Sequence, residues 1–206
     1  SNFEMLDIYF FFIILLTLII TIKFNASQYN AWRHLYYLYP LVIIIALYGL
    51  YTLNIFLKNN YIKKIFYILI LINFIYLISW SINYHPFQNV YFNIIAKSYV
   101  KNNFDLDYWG LSNKFALKYI IKENNIFPIK VATVSFSTLE PALLTLNEKD
   151  KKKISIVYDL NQADFLITNY MRKFRNNFII DDTKYKKYYS IIVDKVPINT
   201  VYKKIK

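Results

Sequence analysis

The chain has 206 residues, of which 56% are hydrophobic and 20% aromatic, and its 25 Lys and Arg outnumber its 13 Asp and Glu. A soluble domain is usually about 45–50% apolar, so this composition argues against an ordinary soluble protein. The absence of cysteine excludes disulfides, thiolate zinc sites and cysteine nucleophiles. With only two histidines, the chain also offers little for a histidine-rich metal site.

Three long apolar runs that are almost free of charge lie in the first 84 residues. A helix needs about 20 such residues to cross a bilayer. The runs therefore predict a transmembrane region at residues 1–84, and three in succession disfavour the alternative of buried core helices. The acidic residues before the first run also argue against a cleaved signal peptide. The predicted spans are residues 6–22, 35–57 and 65–84.

The loop charges predict an orientation in the membrane. The loop between spans two and three carries the cluster Lys58, Lys63 and Lys64, whereas the loop between spans one and two carries only Lys23 and Arg33. Because cytoplasmic loops are enriched in Lys and Arg, the second loop is expected inside. The part of the chain after the third span is then expected on the non-cytoplasmic side.

Residues 85–125 are predicted to form interfacial and connecting helices. Apolar residues recur with helical spacing from Phe87 to Tyr99. This pattern predicts an amphipathic helix, which either lies on the membrane surface or covers the following module. A second helix is predicted from Ser112, as its N-cap, to about Glu123.

Residues 126–206 predict a small extramembrane α/β domain. A capping box at residues 137–140 is expected to start a short helix between the first two strands. This β–α–β order implies parallel strands joined by a right-handed crossover. The last two strands form a hairpin that turns at Asp194 and Lys195. The fold class is thus a membrane α-helical region with a C-terminal α/β module and a mixed sheet. The predicted strands are residues 131–136, 154–158, 165–170, 188–193 and 196–202.

The net charge of +12 lies mostly after the third predicted span. In a soluble protein such a charge would suggest nucleic-acid binding, but the lysines here are scattered and no nucleic-acid motif accompanies them. The lipid bilayer, or an anionic lipid-linked substrate, is the more economical partner. General solubilising charge remains an alternative.

Several polar residues near the predicted membrane surface are candidates for binding. Arg33, beside His34, precedes the second span and either snorkels to the interface or binds a lipid phosphate through two parallel hydrogen bonds. His85 follows the third span and is either a proton donor or headgroup ligand, or an interfacial residue without a special role. Asp105 and Asp107 have a spacing that can serve a divalent cation, but such pairs are more often caps and turn residues. No cofactor is required by this pattern.

Several segments, in order, resemble one enzyme class. Residues 29–40, YNAWRHLYYLYP, resemble the Arg-His/Tyr–Pro segment of polyprenol-dependent membrane glycosyltransferases. These belong to the GT-C class, which includes protein mannosyltransferases and aminoarabinose transferases. HPFQNVYFN and then DYWGLS are similar to the C-terminal part of a bacterial subgroup. That subgroup closes with segments similar to ADFLITNY and VPINTVYK of this chain, at residues 163–170 and 196–203.

The resemblance implies transfer of a sugar from a polyprenyl-phosphate donor on the non-cytoplasmic face of a bacterial inner membrane. In such enzymes the catalytic acidic residue lies in the first external loop of a chain with many more spans. The present chain is therefore expected to be a C-terminal portion, with the catalytic residue in the preceding part of the same polypeptide. A non-catalytic membrane-anchored module that binds a protein partner or an anionic glycan is the alternative. The residues implied to contact the donor or shape its site are Arg33, His34, His85, Gln88, Asp107, Tyr108 and Trp109.

Overall fold

The computed structural model describes residues 2–26, 31–97, 99–171 and 180–205. It divides into two compact units, Ser1–Ser79 and Trp80–Lys206. The first unit is helical, and the second contains the sheet together with the end of the third long helix. Residues 85–125 belong to the same unit as the sheet.

The first unit is built from helices that are apolar all round, which is typical of membrane spans. They are α1 (Asn2–Lys23), α2 (Tyr39–Phe56), which follows a 3-10 helix at Ala31–Leu38, and α3 (Asn60–Asn83). Three stretches are long and apolar enough to cross a membrane, which confirms the three predicted spans. They are Met5–Lys23, His34–Phe56 and Asn60–Asn83.

The third helix begins earlier than the apolar run predicts. The side chain of Asn59 accepts a hydrogen bond from the amide of Tyr61 at 2.8 Å, as an N-cap residue does. The helix therefore takes in Lys63 and Lys64 before the apolar run starts. In α2, Pro40 occupies the first turn, where its missing N–H breaks no helical hydrogen bond.

The second unit contains a five-stranded mixed sheet with the order β2-β1-β3-β5-β4. β1 pairs in parallel with both β2 and β3. β5 is antiparallel to β3 and to β4. This sheet confirms the predicted α/β module, including the hairpin that turns at Asp194 and Lys195. The strands are β1 (Ile129–Thr133), β2 (Ile154–Ile156), β3 (Phe165–Thr168), β4 (Tyr185–Val193) and β5 (Val196–Lys204).

The main core lies between the sheet and α6 (Leu111–Lys122). Leu117 and Ile120 on α6 are fully buried, as are Val131 on β1 and Ile167 on β3. Two shorter helices, α7 (Glu140–Leu144) and α8 (Glu148–Lys151), connect β1 to β2. The helical spacing of α6 predicts Phe115, Ala116, Tyr119 and Ile120 on the inward face. Ala116 and Ile120 are buried and Tyr119 is half-buried, but Phe115 is exposed, so the prediction is wrong at that position.

The amphipathic helix predicted from Phe87 to Tyr99 is not continuous. A 3-10 helix at Gln88–Val90 is followed by α4 (Ile94–Lys97) and α5 (Val100–Asn103). The side chain of Asn93 accepts a hydrogen bond from the Ala96 amide at 2.9 Å, so a new helix starts there.

Two predicted helix caps are wrong. Ser112 lies inside α6, since the side chain that accepts from the first amides of this helix is Asp107. The capping box at residues 137–140 does not form, because α7 begins at Glu140 without a side-chain cap. The Glu140 carboxylate instead accepts a hydrogen bond from the Tyr158 hydroxyl at 2.7 Å.

Candidate functional site

The connections of the parallel strands create a switch point between β1 and β3. From β1 the chain moves outward to β2, and it returns on the other side of β1 as β3. In open α/β sheets, ligands bind outside the carboxyl ends of the strands at such a point. Here Ser135 follows β1, and its hydroxyl donates to Thr168 Oγ1 at 3.1 Å. The same hydroxyl accepts from the amide of Asn169 at 2.9 Å.

The loop that carries the DYWG motif is hydrogen-bonded to the chain at the carboxyl ends of these strands. The side-chain amide of Asn169 donates to the backbone carbonyl of Asp107 at 2.7 Å. The Asp107 carboxylate, which is 1% exposed, accepts hydrogen bonds from the amides of Leu111 and Ser112, both at 2.9 Å. It also accepts from the Ser112 hydroxyl. Asp107 therefore caps α6, where the positive end of the helix dipole favours a negative group.

Two opposing effects act on the ionisation of Asp107. Burial removes the carboxylate from water and raises the pKa of Asp107 above its ordinary value. The hydrogen bonds from Ser112 and Leu111 favour the ionised form and offset part of this rise. Because the helix amides and Ser112 use both carboxylate oxygens, the geometry assigns Asp107 a positioning role.

A second set of hydrogen bonds joins α6 to β5. The side-chain amide of Asn199 donates to Ser112 Oγ and to Asn113 Oδ1, both at 2.8 Å. On the same strand, the Thr200 hydroxyl lies 2.5 Å from the Tyr170 hydroxyl. All eight buried polar side chains of the described residues belong to this region, which we call the polar cluster. Its members are Asp107, Ser112, Asn113, Ser135, Thr168, Asn169, Asn199 and Thr200.

Gly110 is held tightly against this cluster. Its φ of +66° is a left-handed conformation that glycine adopts without strain. A Cβ at this position would lie 2.9 Å from Asn113 Nδ2 and 3.5 Å from Ser137 Oγ. These two polar atoms are buried and make no hydrogen bond within the described part of the chain. The loop can therefore approach the cluster this closely only with glycine at position 110.

Large apolar and aromatic side chains next to the polar cluster in the chain are exposed. Trp109 is 72% exposed, and its ring meets that of Tyr108 edge-on with 5.1 Å between centroids. Leu111, at the start of α6, and Phe136, next to Ser137, are also exposed. The loop thus presents an amphipathic aromatic surface, while its carboxylate is turned inward.

The HPFQ motif lies where α3 ends. Gln88 Nε2 is 2.8 Å from His85 Nδ1 and also donates to the backbone carbonyl of Ser81 at 3.1 Å. The next residue, Asn89, donates to the carbonyl of Leu106 at 3.4 Å, just before Asp107 in the chain. His85 and Gln88 are therefore brought together, and their segment is connected to the loop of the DYWG motif.

The first unit holds the remaining two predicted site residues. His34 lies in the 3-10 helix Ala31–Leu38 and is exposed. Arg33 lies in the same helix, and its side chain is outside the described part of the structure. Their predicted contact with a lipid phosphate therefore stays a prediction.

The end of α3 and the hairpin turn share one carboxylate. Asp194 accepts a hydrogen bond from Trp80 Nε1 at 3.2 Å and pairs with Lys97 Nζ at 2.5 Å. Trp80 lies in the last turn of α3, whereas Asp194 begins the turn into β5, the strand that carries Asn199. The polar cluster and the end of α3 are therefore at the same end of the sheet.

In the acidic pair Asp105 and Asp107, the second carboxylate is used as a helix cap. The carboxylate of Asp107 is directed at the first amides of α6, which supports its alternative interpretation as a cap. Among the described residues, no group of three or more His, Cys, Asp or Glu is arranged to hold a metal ion.

Sequence reasoning did not identify Asn113, Asn169 and Asn199 as members of one network. Asn169 and Asn199 interrupt otherwise apolar β segments, which is a recognisable signal because a buried amide needs hydrogen-bond partners. Asn169 bonds to Asp107 and Asn199 bonds to Ser112, and the hydrogen bond between Ser112 and Asp107 joins the two. This connection depends on the pairing of β3 with β5.

Comparison of the chain with protein-family models, curated proteins and solved structures finds no match.

Proposed function

We propose that this chain is the C-terminal portion of an integral-membrane glycosyltransferase that takes a sugar from a polyprenyl-phosphate donor on the non-cytoplasmic face. The observation that carries the proposal is the meeting of three segments on which the resemblance rests. Asp107 of DYWG, Asn169 of ITNY and Asn199 of PINT all belong to the polar cluster, although they are distant in sequence. Unrelated short matches would have no reason to meet at one switch point.

The position of the loop also supports a lipid-linked donor. Tyr108 and Trp109 lie at the end of the sheet where α3, one of the apolar helices, ends at Asn83. A lipid-linked sugar is confined to the membrane surface, so a binding loop for it must lie near the end of a span. Exposed Trp and Tyr rings combine an apolar face with a polar atom and suit this interface.

The proposal gives each motif residue a distinct role. Trp109 and Tyr108 contact the donor, and His85 with Gln88 contact its headgroup. Asp107 positions the loop through α6 and touches no substrate. Arg33 and His34 bind the lipid phosphate.

The test uses the full-length protein reconstituted in lipid nanodiscs, with a radiolabelled polyprenyl-phosphate sugar as the probe. We expect Trp109→Ala to weaken donor binding about tenfold, which corresponds to roughly 1.4 kcal/mol. Ile126→Ala is the matched control, since this exposed side chain precedes β1 at the opposite end of the sheet. Equal affinities of wild type and Trp109→Ala would refute the role of the loop. No binding of the donor by the wild type would refute the function.

The alternative, a non-catalytic membrane-anchored module that binds a protein partner or an anionic glycan, rests on a different observation. The carboxylate of Asp107 is already used as a helix cap, and it is the only acidic side chain among the buried polar residues of the described structure. Wild-type protein that binds an anionic glycan but not the polyprenyl-phosphate sugar in the same nanodiscs would favour this module.

A further inference from the structure

We propose that residues 92–97 and 99–104, which we call the docking segment, insert exposed apolar side chains into the bilayer leaflet at which α3 ends. This inference goes beyond the proposed function, because it would hold equally for an enzyme and for a non-catalytic module. It concerns the part of the chain that connects the third span to α6.

The docking segment has one buried side and one exposed side. Val90, just before it, and Val100 within it are buried in the main core of the second unit. Ile95 is 83% exposed, Tyr99 65% and Phe104 50%. The segment is thus fixed to the module by one set of apolar residues while a second set faces outward. A patch of large apolar side chains held in this way marks an interaction surface.

A contact between aromatic rings joins the two ends of the segment. The rings of Phe92 and Phe104 lie 5.2 Å apart, so the two ends of the segment are close. Lys97, between Ile95 and Tyr99 in the chain, turns its ammonium group to Asp194 at 2.5 Å. Its charge is thereby paired beside the patch, which lowers the cost of bringing the patch to an apolar phase.

The bilayer is the occupant favoured by the surroundings of this patch. Asp194 holds both Lys97 of the docking segment and Trp80 of the last turn of α3. Trp80 also packs against Tyr84 and Tyr91, with ring centroids 4.8 and 5.0 Å away. Clusters of Trp and Tyr at the end of a span are typical of the membrane interface. The segment is therefore attached to the last turn of α3.

The absence of cysteine from the sequence permits a direct test. The full chain with Ile95→Cys, labelled with an environment-sensitive fluorophore, is reconstituted in vesicles of phosphatidylcholine and phosphatidylglycerol. A second set of vesicles carries lipids brominated near the headgroup end of the acyl chains. Ile126→Cys, at a position that is 85% exposed in the wild type, is the matched control.

We expect the probe at position 95 to be blue-shifted and to be quenched by the brominated lipids at least threefold more than the probe at position 126. Ile126 precedes β1, and the register of β3 with β5 places it at the opposite end of the sheet from Asp194. Equal, solvent-like signals from both positions would overturn the proposal and favour a protein partner for the patch. The vesicles contain no sugar donor, so this experiment tests insertion alone. A negative result here would therefore say nothing against the proposed function.

The variant Tyr99→Cys, labelled in the same way, measures lipid quenching at a second position of the docking segment. If position 95 alone were quenched and position 99 stayed solvent-like, insertion of the segment would be refuted in favour of a local effect of the label. Quenching at both positions is the expected result.

Discussion

The side-chain amide of Asn169 donates a hydrogen bond to the backbone carbonyl of Asp107 at 2.7 Å, across 62 residues of sequence. It joins the end of β3 to the loop that caps α6. Asn169 is also bonded to Ser135 through its own backbone amide. One buried residue thus holds the switch point of the sheet and the DYWG loop in a single arrangement, and this relationship can be tested by substitution.

Replacing Asn169 with alanine is expected to destabilise the second unit by about 0.5–1.5 kcal/mol, because the Asp107 carbonyl loses one of its two donors and keeps only the Gly110 amide. The measurement is chemical unfolding of the full chain in detergent, followed by near-ultraviolet circular dichroism. The exposed residue Asn161 supplies the control, and Asn161→Ala should change the free energy of unfolding by less than about 0.5 kcal/mol. Similar values for the two variants would contradict the role of Asn169.

Replacing Asp107 with alanine removes the cap of α6. The expected loss is about 1–2 kcal/mol, because the amides of Leu111 and Ser112 lose their acceptor. Hydrogen exchange at these two amides should accelerate more than exchange at Ile120, in the third turn. Asp107→Asn retains one acceptor oxygen and should lie between wild type and alanine. The matched control is Asp182→Ala, which changes an exposed carboxylate. Unchanged exchange in Asp107→Ala would show that the cap is dispensable.

The two glycines should respond oppositely to alanine. Gly110→Ala must place a Cβ 2.9 Å from Asn113 Nδ2 with φ at +66°, so we expect a loss of at least about 1 kcal/mol. Gly49→Ala meets no atom within 4 Å and should be neutral or slightly stabilising, since alanine is the better helix former. The melting temperature of each variant in detergent measures the difference. Equal melting temperatures for the two variants would argue against close packing at Gly110.

The ion pair of Asp194 predicts a pH dependence. Burial alone would raise the pKa of Asp194. The hydrogen bonds from Lys97 and Trp80, together with the positive charges of Lys97 and Lys195, outweigh burial and lower this pKa below its ordinary value. A lowered pKa stabilises the folded state above the ordinary value of about 3.9, and this contribution is lost as the pH falls through the lowered pKa. At pH 7 we expect Asp194→Asn to unfold more easily than wild type by about 1 kcal/mol.

Denaturant unfolding between pH 7 and pH 2.5 measures this effect. The difference between wild type and Asp194→Asn should shrink as the pH falls below about 4, because Asp194 is protonated first in the unfolded chain and only at lower pH in the folded protein. Asp182→Asn controls for the general loss of one negative charge, and its difference from wild type should stay small throughout. If the difference in free energy of unfolding between wild type and Asp194→Asn were constant over the whole pH range, the ion pair would be excluded as its source.

Local sequence patterns predicted the spans and the hairpin of this chain, but they did not predict its polar contacts. The three spans could be predicted because bilayer crossing depends on the length and apolarity of one continuous segment. The hairpin could be predicted because an aspartate, here Asp194, tolerates the left-handed backbone of a tight turn. Asp194 and Lys195 both adopt this conformation, at φ values of 48° and 70°. The helix predicted from Phe87 was wrong because its spacing does not reveal that the Asn93 side chain starts a new helix.

The polar cluster could not be predicted in the same way. Asp107, Gly110 and Ser112 stood out as a motif, yet their partners Asn169 and Asn199 depend on the pairing of β3 with β5. The cap on α6 also depends on the left-handed backbone of Gly110, which lets the loop fold back so that Asp107 reaches Leu111. A hydrogen bond between distant residues is determined by where folding places both of them.

The sequence by itself therefore determined that DYWG, ITNY and PINT occur in order after three apolar spans. Apolarity and turn preference are properties of short segments, so they can be read without a partner. Only the tertiary structure decided that these motifs meet at one end of the sheet and that Asp107 turns inward to cap α6. The reason is that strand register and burial are set by the whole unit, and a buried carboxylate is stable only where folding supplies its donors.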